Sequence, residues 1–254
     1  DSRAYVLAKG RFQLAPYWQF GFTAERVNDP LIFDRYAVPD PFIERGLYAA
    51  DDRRLISQLY TTRQDPNSYI SVAAIDVQGL RSTDSDNTFP VIAPLVEARW
   101  QPPIPILGGR LRIDGSAVLL NRDVSPTDPT MPGIDSRRGT LEANWQRTFI
   151  VGPGIRIDPF VDVRADVFSL GDLPAPFAKN ATLTRWLPTA GFTATWPFVK
   201  RAGPLTFILE PTAQVAISPI LKQDPRIPDE DSVDFEFDET NLFRTDKSPG
   251  FDLI

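Results

Sequence analysis

The sequence predicts an all-β fold: an antiparallel up-and-down transmembrane β-barrel segment, about ten to eleven strands of a larger barrel. Three observations predict it. Apolar and polar residues alternate with period two along most of the chain, which puts them on opposite faces of extended backbone. The alternating runs are ~11 to 17 residues long, against ~5 to 6 for strands of soluble proteins, and long enough to cross a bilayer at a tilt. The connections alternate short and long, so one end of a meander carries tight turns and the other carries extended polar loops.

In chain order, Arg11 to Val27 sets Phe12, Leu14, Pro16, Trp18, Phe20, Phe22 and Ala24 against Gln13, Tyr17, Gln19, Thr23 and Glu25. Weaker alternation follows at Arg53 to Arg63, Asn67 to Leu80, Phe89 to Gln101 and Leu107 to Asn121. Gly139 to Val151 sets Leu141, Ala143, Trp145 and Phe149 against Thr140, Glu142, Asn144, Gln146 and Thr148. Ile155 to Ser169 sets Ile155, Ile157, Val161, Val163, Ala165 and Val167 against Arg156, Asp158, Asp162, Arg164 and Asp166. Ala181 to Trp196 alternates with a slip of phase near Arg185, which reads as a bulge. Leu205 to Pro219 sets Leu205, Phe207, Leu209, Ala213, Val215 and Ile217 against Thr206, Glu210, Thr212 and Gln214. Pro211 lacks an N–H for the ladder and marks a weak point in that strand.

Short connections are expected near Gly10, at Gln64-Asp65-Pro66, Pro102 to Ile106, Gly152-Pro153-Gly154 and Phe198 to Gly203. Long ones are expected at 28–52, 122–138 and 220–250, with further polar loops at Ser82 to Thr88 and Gly171 to Asn180. Residues 1–254 then form part of one barrel domain. Trp100 and Trp196 fall at strand ends, where a membrane barrel carries its aromatic girdles. A closed sheet suits lipid because every backbone N–H and C=O is paired without an edge. A soluble β-sandwich also alternates, so alternation alone leaves that reading open.

Composition removes several function classes. The chain has 254 residues with no Cys and no His. That excludes disulfides, thiolate nucleophiles, a Ser-His-Asp triad and the usual zinc ligands. The net charge of -6 argues against a nucleic-acid partner. No run reaches the ~18 apolar residues of a membrane helix. The chain starts and stops in strand-like sequence, as expected of an internal piece of a longer protein.

The runs LEPTAQVAISP, IPDEDSVDFEFDETNLF and SPGFD resemble the outer-membrane lipopolysaccharide (LPS) assembly family, LptD. Asn67 to Trp100 and Leu107 to Asp123 resemble its alphaproteobacterial form. Asp229 to Phe243 is the most specific part, because acidic-aromatic alternation ending in Asn-Leu-Phe is not a generic barrel feature. One departure is that Asp246-Lys247-Ser248 and Asp252-Leu253 stand where many members carry Asn-Arg-Phe and Asp-Arg, so no role for that Arg is carried over. The resemblance implies a very large barrel in the outer membrane of a Gram-negative bacterium. It implies a plug lipoprotein, LptE, and an upstream periplasmic jelly-roll domain that receives LPS from a bridge of jelly-roll proteins. LPS is passed to the outer leaflet, leaving through a lateral opening between the first and last strands. No cofactor, metal or catalytic residue is implied, and the expected function is that of a passive conduit rather than an enzyme. The alternatives are another outer-membrane channel or receptor barrel, and a soluble β-sheet binding module.

Two sets of residues stand out as candidate sites. Arg156, Asp158, Asp162, Arg164, Asp166, Glu210 and Gln214 are expected to face the lumen, there to meet an LPS head group or the plug, or simply to pair with neighbouring strands. The acidic loop with Asp229, Asp231, Asp234 and Asp238 offers carboxylate oxygens to a divalent cation, but lacks the Gly and terminal Glu of an EF-hand loop. Its other reading is a solvated or barrel-capping loop.

Overall fold

In the computed structural model the described residues are 3–36, 38, 43, 45–49, 53–81, 84–126, 128, 130–220 and 224–227. The strands are β1 (Tyr5–Ala15), β2 (Trp18–Val27), β3 (Arg54–Gln64), β4 (Ser68–Gly79), β5 (Val91–Trp100), β6 (Arg110–Asn121) and β7 (Asp135–Gln146). They continue as β8 (Phe149–Val151), β9 (Ile155–Gly171), β10 (Ala181–Thr195), β11 (Phe198–Ala202), β12 (Leu205–Leu209) and β13 (Thr212–Ile217). One short helix, α1 (Ile32–Arg35), sits in the first long loop. An 11-stranded antiparallel up-and-down sheet runs β1-β2-β3-β4-β5-β6-β7-β9-β10-β13, with β8 beside β9. From β1 to β7 each strand lies beside the next in sequence, and β13 returns to β10 after the β11–β12 hairpin. No helix among the described residues is long and apolar enough to cross a membrane, which says nothing about strands.

Several boundaries differ from the sequence reading. The run expected as one strand from Arg11 to Val27 is the second part of a hairpin. The chain turns at Pro16-Tyr17, not at Gly10, with Tyr17 in the left-handed region at φ 79. The register pairs Phe12 with Phe20 and Gly10 with Phe22. From Tyr5 to Gln13 partners share parity, and a register shift between Gln13 and Ala15 pairs Ala15 with Trp18 beside the turn. β7 starts at Asp135, which shortens the expected 122–138 loop. The run expected from Leu205 to Pro219 is two strands. β12 pairs with β11 in a separate two-stranded sheet, and β13 pairs with β10. The break falls at Glu210-Pro211, where proline has no ladder donor. Along β10 exposure keeps one parity from Ala181 to Leu187, so no bulge is needed at Arg185. The apparent slip is one of residue type: Thr182 and Thr184 lie on the exposed face that Trp186 and Phe192 occupy further along.

The faces are inverted relative to a soluble sheet. Phe12, Leu141 and Trp186 are 52%, 58% and 59% exposed, whereas Glu25, Arg164 and Asp166 are 8%, 3% and 4% exposed. Thr23, Gln58, Ser71, Gln78, Ser136, Thr140 and Thr195 are buried as well. In water this burial would cost free energy and leave the apolar rows unburied.

Contacts divide the chain into two compact units. The first comprises Asp1–Arg99, Gly115–Gly139 and Val167–Leu183. It contains two small apolar clusters. Val27, Ile32, Leu55 and Leu80 pack with Leu7 and Phe33, which roots α1 on the strand ends. Ile56, Tyr60, Ala73 and Ile75 pack with Leu47, Tyr48, Val77, Ile92 and Leu95. Gly21 stands opposite Tyr60, and a Cβ there would lie 2.2 Å from the ring, so glycine leaves the space the ring fills. The second unit comprises Trp100–Asp114, Thr140–Asp166 and the chain from Thr184 onward.

Candidate functional site: the buried polar face

In the first unit, a piece of the long β2–β3 loop is folded back onto the polar face. The Gln58 side chain on β3 holds it. Its Oε1 accepts from the backbone N–H groups of Leu47 at 2.9 Å and Tyr48 at 3.0 Å, and its Nε2 donates to the Tyr48 carbonyl at 2.8 Å. Arg45 pairs with Glu25 of β2 at 3.3 Å, with both side chains almost fully buried. Glu25 also accepts from the Ile56 N–H at 3.1 Å. The Tyr48 hydroxyl donates to Glu97 of β5 at 2.9 Å. Burial, opposed by a hydrogen bond from Ser71 and reinforced by the Glu97 carboxylate, pushes the Tyr48 phenol above its ordinary range. Gly46 lies so close to Gln58 that a Cβ would fall 2.1 Å from its Nε2. These residues form a strap laid across β2, β3 and β5.

The second unit carries an ionic cluster. β9 is 17 residues long, and its period-two pattern turns Asp158, Asp162, Arg164 and Asp166 to the polar face. Asp166 is the hub. Its Oδ1 accepts from Thr140 at 2.7 Å and from Arg164 Nε at 3.1 Å, and its Oδ2 accepts from Arg185 Nε at 2.8 Å. The carboxylate and both guanidiniums are buried. Asp162 accepts from Asn144 at 3.3 Å. Nearer the tight-turn end, Arg156 pairs with Asp158 at 2.8 Å, and Thr148 also donates to Asp158. Gln214 on β13 donates to Thr193 on β10 at 3.1 Å.

The candidates of the sequence therefore divide. Asp162, Arg164 and Asp166 meet on one face together with Arg185, which the pattern had marked only as a slip of phase. Arg156 and Asp158 form a more exposed pair of their own. Gln214 belongs to the β10–β13 ladder. Glu210 is exposed between β12 and β13 and lies outside the strands. Asp229, Asp231, Asp234 and Asp238 lie outside the described residues. Among the described residues no group of three or more carboxylates is placed to hold a metal ion. The strap was not foreseen. No local pattern marks it, because apolar residues such as Ile32, Phe33, Val38, Phe42 and Ile43 recur through the same loop.

Chemically, the face offers buried hydrogen-bond donors, acceptors and paired charges in each unit. At the hub two guanidiniums share one carboxylate.

None of the curated proteins compared matches the chain. A family model does: the one described as LptD, LPS transport system D, matches residues 1–254. With the match spanning every residue, the chain belongs to the LptD family.

Proposed function

We propose that this chain forms part of the wall of an outer-membrane LPS translocon, with its exposed apolar face against lipid and its buried polar face toward the lumen. The observation that carries this reading is the inversion of burial: Leu141 and Trp186 are open, while Arg164 and Asp166 are closed off. A lipid-facing apolar band and a polar interior are what a bilayer demands of a barrel. Trp18, Trp100 and Trp196, each exposed at the tight-turn end of its strand, suit an aromatic girdle. Membership of an LPS transport family supports the cargo. In this reading the plug lipoprotein LptE and a periplasmic jelly-roll protein are the partners. The paired charges of the second unit suit a water-filled lumen.

The test is depletion of the full-length protein in its own bacterium. LPS is expected to fall at the cell surface and accumulate inside the envelope. Unchanged surface LPS would exclude the translocon and leave a pore or receptor barrel. The purified protein is expected to need detergent and to migrate differently on gels before and after heating; detergent-independent solubility would favour the soluble binding module.

A further inference from the structure

The β11–β12 hairpin forms its own two-stranded sheet, which prolongs the β10–β13 pair in the same register through the Trp196 N–H donating to the Pro211 carbonyl at 3.1 Å. It follows β10 at the tight-turn end. Its register pairs Phe198 with Leu209, Lys200 with Phe207 and Ala202 with Leu205 on one face. Val199 pairs with Ile208 and Arg201 with Thr206 on the other. Every residue of both strands is exposed. Beyond the Trp196–Pro211 joint the hairpin pairs with no third strand among the described residues, and a two-stranded ribbon that is apolar on both faces is at best marginal in water. A protein partner laid on one face would leave Val199 and Ile208, or Phe198, Phe207 and Leu209, still uncovered. A fluid that wraps both faces covers all of them.

The polar residues show which fluid. No acidic residue occurs from Trp196 to Leu209, and Lys200 and Arg201 stand close to the Gly203-Pro204 tip. At the base the Trp196 ring packs on Phe198, with centroids 4.7 Å apart. Aromatic rings at the base, an apolar body and cations beside the tip match the boundary layer of a bilayer. There acyl chains receive apolar side chains, rings sit at headgroup depth, and long basic side chains reach anionic headgroups. We propose that the β11–β12 hairpin is an interfacial anchor that lies in the headgroup layer of the adjoining leaflet and prefers anionic phospholipid. The proposal rests on the membrane-spanning reading above.

The experiment places one environment-sensitive fluorophore at Ile208→Cys in the full-length protein, with any other cysteines replaced. The protein is reconstituted into nanodiscs of phosphatidylcholine alone or mixed with phosphatidylglycerol. A second protein carries the label at Phe192→Cys, on the exposed face of β10. The Ile208 label is expected to emit to the blue, to be quenched by lipids spin-labelled near the headgroup, and to be shielded from iodide. The quenching should be stronger with phosphatidylglycerol, and the pair Lys200→Glu and Arg201→Glu should remove that difference. Val199→Cys repeats the measurement on the same face of the hairpin and stands in should the Ile208 label prevent folding. An Ile208 label open to iodide and untouched by lipid, beside a lipid-quenched Phe192 label, would overturn the anchor alone. Shielding from iodide without lipid quenching would identify a protein occupant and also overturn it. A Phe192 label that no lipid quenches would sink the membrane reading itself.

Discussion

At the scale of single residues, Asp166 shows what the polar face is built to do. Three donors converge on one buried carboxylate, and two of them are guanidiniums. Asp166→Asn removes the carboxylate that Thr140, Arg164 and Arg185 share. Breaking a buried ion pair costs about 3–5 kcal/mol. Urea or heat unfolding from a membrane mimetic should show a loss of that size, and Arg185→Met in the same background should offset part of it by removing one of the two cations that met there. Arg164 and Asp166 were legible as a pair, because period two puts residues two apart on one face. Arg185 was not, because its partner sits 19 positions away on another strand. At the tight turn between β3 and β4, Asp65 is held by the Ser68 hydroxyl and by the N–H groups of Asn67 and Ser68, with Arg63 beside it. The Ser68 hydroxyl, followed by the Asn67 N–H, holds its carboxyl below the usual aspartate range. A depressed carboxyl contributes stability that is present above the ordinary aspartate value and is lost as pH falls through its own lower value. The protection of the Asn67 and Ser68 amides, measured against their intrinsic exchange at each pH, should therefore fall as acid is added below the ordinary aspartate range. Asp65→Asn should flatten that dependence.

At the scale of elements, the strands were legible and their joints less so. Alternation located most long strands to within a few residues, yet it concealed the Pro16-Tyr17 turn because partners from Tyr5 to Gln13 share parity and the extra residue of the register shift lies beside the turn. Period two reports the face of a residue and is blind to the direction of travel. The strap was illegible for another reason. Its hold depends on Gln58, Glu25 and Glu97, which chain topology brings to one place and no local pattern connects. Gly46→Ala should release it by driving a methyl into the Gln58 amide. Limited proteolysis within residues 43–49 should then speed up. Gln58→Leu, which removes three hydrogen bonds, should give the same cut and cost about 1–3 kcal/mol. Equal cleavage in all variants would mean the strap is not held by these contacts.

At the scale of the whole molecule, the fold class was readable because a bilayer imposes a rule that every strand must obey. The rule fixes which face is apolar, but sequence alone does not say whether that face is buried. The alternation Val161, Val163, Ala165, Val167 against Asp162, Arg164, Asp166 is compatible with a sandwich whose valines fill a core. The structure decides otherwise: Val161 and Val167 are exposed, while Arg164 and Asp166 are enclosed. This yields a prediction that separates the two solvents. Val161 lies near the middle of β9 with its side chain outside. In water, an exposed Val→Arg change usually stays within about 0.5 kcal/mol. At the midplane of a bilayer the same change costs about 2–4 kcal/mol, falling toward zero near the interfaces. Val161→Arg should therefore destabilise the folded protein in phospholipid vesicles by about that larger amount. Ile150→Arg, on the exposed edge of β8 at the tight-turn end, should cost little. A gradient of cost with depth along the exposed rows would show that the solvent of this face is lipid. Uniformly small costs at both positions would show that it is water, and the barrel reading would fall with them.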